Sequence, residues 1–487
     1  MNRGQGLGLG IDDCGLGICA TSRIRNLQSE IRNLPPLSSG RLGPGARGQG
    51  WLRRLFHGVA AGLLLGSAGI CLGAERFPPP QFETQYVRPV LTAPPARAVV
   101  WDVVDVAVLV AALGLASYLV LRVRSRKAIF TLTVFSLLYF GFWRGGCVCP
   151  VGSIQNVALA LFDSGYGIPL SVVIFFVAPL VFTLFFGRAF CAAVCPLGAV
   201  QDMVTLWPVA VPRWLEAGLR VLAYLYLGLA LVWAALGSAF IVCRYDPFVS
   251  IFRLSGDVHL LVLGASILLI GLFVGRPYCR FLCPYGVILR QLSRLSRRRV
   301  AITPDECIRC GLCAQSCPFG AIQEPTEPWP TEYYAKARRR LVTWLVAAPI
   351  LVVGGGYLGM RSGPVLAGAD TTVALAQRVW QEEHAQVSGG APSVSDASSA
   401  FRATGTPIES LYAEATTRRA RFRIAGGLLG AFVGVVIAGK AMRLSIWRRR
   451  GDYEADRAAC LACGRCYAYC PKEHQRLKRL QGGVDRS

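Results

Sequence analysis

Charge is scarce in this chain. Charged residues make up 16% of its 487 residues, while 53% are hydrophobic; a soluble globular domain carries about 25% charged residues. This excludes a wholly disordered chain and points to an integral membrane protein. Acidic residues are scarcer still: 28 Asp and Glu stand against 52 Lys and Arg, a net charge of +24. No DNA- or RNA-reading motif accompanies the excess, so nucleic acid is not an expected partner. In a membrane protein, Lys and Arg gather instead in cytoplasmic loops. The four histidines, His57, His259, His384 and His474, form no pair within one helix, which argues against haem. No dinucleotide-binding glycine fingerprint, nucleophile triad or phosphate loop is present, so no catalytic residue is assigned.

Long apolar runs are abundant. After Arg53 and Arg54 comes a run over 55–72 that suits a signal peptide or a first span. Further spans are expected at 99–121, 128–143, 168–187, 217–242, 258–275, 341–360 and 424–442, each near the roughly 20 residues a helix needs to cross the hydrocarbon. The expected fold is therefore an all-α polytopic membrane protein with about seven to eight transmembrane helices. The expected order begins with a disordered or non-native extension over 1–50, a signal or first helix over 51–73 and a Pro-rich extracytoplasmic linker over 74–98. A transmembrane core follows over 99–300, then a ferredoxin half over 301–335 and a helix over 341–360. An extracytoplasmic loop over 361–423, a helix over 424–442 and a second ferredoxin half over 443–487 complete it. Basic runs at 122–127, 297–299, 338–340 and 448–450 fall on one side of this alternation and mark it as cytoplasmic.

The strongest chemical signal is Cys307-x-x-Cys310-x-x-Cys313-x-x-x-Cys317-Pro318, repeated as Cys460-x-x-Cys463-x-x-Cys466-x-x-x-Cys470-Pro471. This is the bacterial spacing for [4Fe–4S] clusters. Three thiolates two residues apart wrap one cubane on a tight loop; the fourth ligates the other cluster in two-cluster ferredoxins. Cys307, Cys310, Cys313 and Cys470 are assigned to one cluster, and Cys460, Cys463, Cys466 and Cys317 to the second. Paired zinc sites also use four thiolates, but zinc ligands usually split as two pairs. Exchange of ligands requires both arrays on one side of the membrane, and the two spans expected between them satisfy that. The result is a bacterial-type two-cluster ferredoxin domain split by a transmembrane hairpin, on the cytoplasmic side.

A second pattern repeats: Gly187-Arg-Ala-Phe-Cys191-Ala-Ala-Val-Cys195-Pro196 matches Gly275-Arg-Pro-Tyr-Cys279-Arg-Phe-Leu-Cys283-Pro284. Cys191, Cys195, Cys279 and Cys283 are candidate redox or metal-binding thiols at the inner membrane edge. A looser copy, Cys147-Val-Cys149-Pro150 with Gln155 six residues on, parallels Cys195-Pro196 with Gln201. Alternation puts Cys147, Cys149 and Cys243 at the outer edge as weaker redox candidates. The competing reading for all seven is packing, since free Cys behaves as a small apolar residue. Cys14 and Cys19 have no partner motif, and Cys71 reads as packing.

At these residues the chain resembles the membrane polyferredoxins related to the nitrous-oxide-reductase regulator and to the quinol-dehydrogenase subunit of periplasmic nitrate reductase. The resemblance covers about 100–320 and the tail array. It implies a bacterial cytoplasmic (inner) membrane protein moving electrons between quinol or a ferredoxin-like donor and an extracytoplasmic reductase or flavin-domain protein. The regulator carries an N-terminal extracytoplasmic flavin domain; the 25 or so residues between the first two spans are too few for one, so FMN would enter only through a separate partner. Two alternatives remain open. One is a metal-delivery or maturation factor using the Cys-Pro thiols as a relay. The other is a redox-sensing regulator.

Overall fold

The computed structural model describes residues 99–146, 149–302, 307–326, 331–387, 395–446 and 450–484. The expectations for 1–50, 51–73 and 74–98, and for Cys147, lie outside the described residues. Every described element belongs to one unit, Arg97–Ser487.

Helices dominate it, in the order α1 (Val99–Tyr118), α2 (Arg126–Ser136), α3 (Pro150–Phe162), α4 (Leu170–Phe186), α5 (Ala189–Ala193) and α6 (Pro196–Val204). Next come α7 (Arg213–Ala235), α8 (Ile241–Arg244), α9 (Val249–Arg253), α10 (Val258–Gly271), α11 (Pro277–Phe281) and α12 (Pro284–Leu292). The C-terminal part holds α13 (Leu312–Gln315), α14 (Thr331–Ala367), α15 (Thr371–Val387), α16 (Asp396–Ala403), α17 (Ile408–Ser445), α18 (Arg465–Ala468) and α19 (Pro471–Val484). Two short strands, β1 (Ile322–Gln323) and β2 (Glu454–Ala455), pair antiparallel.

Four helical stretches are long and apolar enough to cross a membrane: Val99–Val123, Trp214–Ala235, Tyr334–Ala367 and Ile408–Ser445. Pro150–Phe162, Leu170–Phe186 and Val258–Gly271 are apolar but shorter. The expected run at 128–143 is helical but widens into a π-turn at Leu137–Trp143. That at 217–242 ends at Ala235, because Gly237 adopts a left-handed conformation and starts a turn. Large apolar side chains face outward along these helices, as with Leu161 at 78% and Ile350 at 68% exposure. An apolar exterior of this extent is costly in water and suited to lipid.

The segment over 361–423, expected as a loop, is largely helical. Asp370 opens α15 by accepting from the amides of Thr372 and Val373 at 3.1 and 3.2 Å. It is also held by Arg418 at 3.1 Å and by the Ser238 hydroxyl at 2.5 Å. Trp233, Val373, Val379, Leu411 and Phe422 close a small apolar core beneath it.

Glycines set the approach of α14 and α17. A Cβ on Gly359 would collide with the carbonyl of Gly426, and one on Gly430 with that of Gly355. Small residues one turn apart let the two backbones touch. This hairpin returns the chain to the side from which α14 set out, and so brings the C-terminal array to the first.

Candidate functional site

The two four-cysteine arrays adopt the same backbone. Arg309 and Ala462 have φ of 53° and 55°, and Gly311 and Gly464 have φ of 76° and 79°. Each glycine then opens a one-turn helix, α13 or α18, which carries the third cysteine. Left-handed φ costs little at glycine and more at Arg309 and Ala462, so surrounding contacts must hold these loops.

The halves are joined by Ile322 pairing with Ala455 and Gln323 with Glu454. Asp456 N donates to Ala321 O at 2.8 Å, and Gln323 Nε2 to Asp456 Oδ2 at 2.6 Å. Cys307, Cys310, Cys313 and Cys470 line one cavity of about 300 Å³, open to solvent on one side. Cys317, Cys460, Cys463 and Cys466 line a second, tighter hollow walled by Phe319, Ile322 and Leu461. Each hollow thus takes three thiols from one array and the last from the other. Among the described residues no three His, Cys, Asp or Glu side chains converge on one point as ligands of a single ion. The thiols instead surround a space, which suits a polynuclear group better than a lone metal. Burial pushes the Cys313 thiol up to about 11 and the Cys460 thiol up to about 12, with neighbouring thiols adding to both. Such thiols stay protonated near neutrality until an electrophilic group displaces the proton.

The four Cys-x-x-x-Cys-Pro cysteines also meet. Cys191 lies in α5 and Cys279 in α11, while Cys195 and Cys283 cap α6 and α12, each followed by a proline in the first turn. Burial, then Cys279, Cys191, Cys149 and Cys283, raise the Cys195 thiol well above its usual range. Charged and polar donors reach these sulfurs. Arg188 Nη2 approaches Cys191 Sγ at 3.6 Å, Gln201 Nε2 approaches Cys279 Sγ at 3.3 Å, and Gly286 N approaches Cys283 Sγ at 3.3 Å. Cys149, placed on the opposite edge by the alternation of spans, is a neighbour of this group, because α3 packs on α12.

The spacing patterns did not reveal the polar residues that bind the array domain to the helices. Asp202 on α6 meets Arg126 at 2.7 Å, Arg465 at 3.4 Å and Arg276 at 3.5 Å. Burial opposes its ionisation, but Arg276 and Arg126 outweigh it and draw the carboxyl down to about 2. Arg276 is fully buried, lies against the Phe319 ring and donates to the carbonyls of Cys191 and Ala192. Its only sequence signal was its place in the repeated Gly-Arg-x-aromatic-Cys string.

An apolar helical framework carrying a split array of this kind defines a membrane-bound ferredoxin-type iron–sulfur protein. A family described as a 4Fe-4S binding domain matches residues 168–213 and 257–303, which hold the two Cys-x-x-x-Cys-Pro strings, and a second of the same description matches 300–323. The chain is 28% identical over 186 residues to the putative electron transport protein YccM of Escherichia coli, covering 35% of this chain and 52% of YccM. It is 33% identical over 157 residues to NirI of Paracoccus denitrificans (28% of this chain, 22% of NirI). It is 30% identical over 245 residues to the regulatory protein NosR of Pseudomonas aeruginosa (44% of this chain, 32% of NosR). The matched regions span about half of YccM and a third or less of the other two. No solved structure matches. The chain thus carries 4Fe-4S binding domains and is similar, over its helical core and first array, to these relatives.

Proposed function

We propose that this protein crosses a bacterial cytoplasmic membrane several times and carries electrons between quinol or a ferredoxin-like cytoplasmic donor and an extracytoplasmic reductase or flavin-domain partner. Seven spans fit the described chain: α1, the helical run over 126–143, α4, α7, α10, α14 and α17. The basic runs support a cytoplasmic position for the array domain and the C-terminus. The observation that carries the reading is the division of eight array thiols into two hollows by exchange of their last members.

Cys307, Cys310, Cys313 and Cys470 would hold one [4Fe–4S] cluster, and Cys460, Cys463, Cys466 and Cys317 the other. Cys191, Cys195, Cys279 and Cys283 form an additional metal or cluster site between them and the helical core. Bound clusters of this kind supply one-electron chemistry with little change of shape. The chain's own part is to exclude water and fix charge: Arg276 is shared by Asp202 and the carbonyls beside Cys191, and Gln201 steadies Cys279. Burial of three of the four inner thiols, Cys191 at 8%, Cys195 at 7% and Cys283 at 8% exposure, favours a resident group over a transient metal hand-off.

The test is anaerobic purification followed by electron paramagnetic resonance. Two reducible ferredoxin-type signals, re-reduced by quinol or ferredoxin, are expected. Protein that stays colourless after iron reconstitution overturns the reading.

A further inference from the structure

Two buried glutamines make the same hydrogen bond at two places. Gln155 Oε1 accepts from Val242 N at 2.9 Å, and Gln201 Oε1 accepts from Tyr278 N at 2.9 Å. Each glutamine lies six residues beyond the cysteine of a Cys-Pro pair, Cys149-Pro150 or Cys195-Pro196. Each accepted amide immediately precedes a cysteine, Cys243 or Cys279. The short helix bearing that cysteine packs on the helix bearing the glutamine, α8 on α3 and α11 on α6. The correspondence runs one step further. Cys279 leads to Cys283-Pro284, and Cys243 leads to Asp246-Pro247. Cys283 Sγ accepts the amide of Gly286 at 3.3 Å, and Asp246 Oδ1 accepts that of Phe248 at 2.9 Å. Asp246, one residue nearer its cysteine than Cys283 is to Cys279, thus stands before a proline where the other string has a cysteine.

The second location has an unmet demand that the first lacks. Gln201 Nε2 donates to Leu197 O and to Cys279 Sγ. Gln155 Nε2, in a side chain with no exposure, has no partner. Asp246 is 5% exposed and accepts the Phe248 amide, and no Lys or Arg among the described residues is recorded as its ion-pair partner. A buried carboxylate without a cation is costly, and it either takes up a proton or is compensated by a metal. Cys243 reaches the first turn after Cys149, where a Cβ on Gly152 would stand 3.1 Å from its Sγ, and both Cys243 and Asp246 lie within electrostatic reach of the Cys149 thiol.

We propose that Cys149, Cys243 and Asp246 ligate a further iron–sulfur centre, a quasi-equivalent of the four-thiol group, with Gln155 as the positioning residue for Cys243. The inference rests on reading Cys191, Cys195, Cys279 and Cys283 as a ligand set. Thiolate ligands suit iron–sulfur clusters, zinc and copper(I), and the spacing of this chain's arrays is that of iron–sulfur centres, which favours the first.

The test uses full-length protein purified anaerobically, with iron and zinc analysis, Mössbauer spectra and paramagnetic resonance. Cys243→Ser should lower iron by the equivalent of one centre and leave both ferredoxin-type signals intact. Asp246→Cys should keep the iron but change that centre's spectrum, since oxygen is replaced by sulfur. Gln155→Leu should keep the iron and shift the midpoint potential. Full iron and unchanged spectra in Cys243→Ser and Asp246→Cys overturn the proposal, as does loss of zinc in place of iron. Should Cys243→Ser fail to accumulate, Asp246→Cys decides alone: an altered signal supports the centre and an unaltered one refutes it. Cys283→Ser separates the two readings. If it loses no iron while Cys243→Ser does, the four-thiol reading fails and this one stands.

Discussion

Arg124 Nε lies 2.5 Å from Glu473 Oε1, joining the turn after α1 to the first turn of α19, 349 residues later. The same guanidinium donates to Ala301 O at 2.8 Å and Ile302 O at 2.7 Å, and lies over the Tyr467 ring. One side chain thus holds both ferredoxin halves to the helical framework. Glu473 has no exposure. Glu473→Ala strands a largely buried cation and should cost about 3–5 kcal/mol. Thermal unfolding in detergent should show the loss, and Arg124→Ala combined with Glu473→Ala should recover part of it. Additive losses in the double variant would show that the pair does not couple.

Asp202 gives a pH-dependent stability. Its carboxyl sits at about 2 when folded, against an ordinary 3.8, because Arg276, Arg126 and Arg465 outweigh burial. The folded state therefore binds its proton less readily than the unfolded state. The stabilisation is fully present above about pH 4 and is lost as pH falls through 2. A shift of this size is worth about 2.5 kcal/mol at neutral pH. Wild type should melt above Asp202→Asn by a margin that shrinks to about half by pH 3. A margin that stays constant from pH 7 to 3 would remove Asp202's ionisation as the cause.

The glycine contact between α14 and α17 is the means by which the tail array returns. Gly359→Leu would force apart backbones that now touch, and overpacking of this kind costs about 1–3 kcal/mol. Because the hairpin lies between the arrays, the variant should also lose iron–sulfur colour faster in air. Gly354→Leu, with open space around its Cβ position, is the control. Equal behaviour of the two would show that the contact is not needed for assembly of the domain.

What could be read from the chain was local in sequence. The array spacing and the Cys-Pro strings are short-range patterns, and the geometry follows them down to matched φ values at Arg309 and Ala462. The meeting of Asp202 with Arg465 could not be read, since no period marks a partner 263 residues away. The helices within 361–423 were hidden because α15 and α16 are amphipathic and too polar to register as spans, and they are fixed by the Asp370 and Ser395 caps, with Glu382 accepting the Ser395 amide. The neighbouring of Cys149 and Cys195 depends on α3 packing against α12, a tertiary fact that counting of alternate spans does not contain.

The proposed exchange of ligands would make an unequal demand on Cys317 and Cys470. Cys317 belongs to the first array by sequence, but lines the hollow with Cys460, Cys463 and Cys466, where its sulfur accepts the Ala321 amide at 3.4 Å. Cys470 belongs to the second array and lines the hollow of the first. Cys317→Ala should therefore broaden or abolish the signal that Cys463→Ala removes, and Cys470→Ala the one that Cys310→Ala removes. The hollow holding Cys317 is the tighter and more apolar of the two, so its signal should also resist added chelator longer in wild type. Paramagnetic resonance of the four single variants checks the pairing. If Cys317→Ala instead acts on the signal lost in Cys310→Ala, each array closes its own cluster and the split domain loses its chemical reason to assemble across the hairpin.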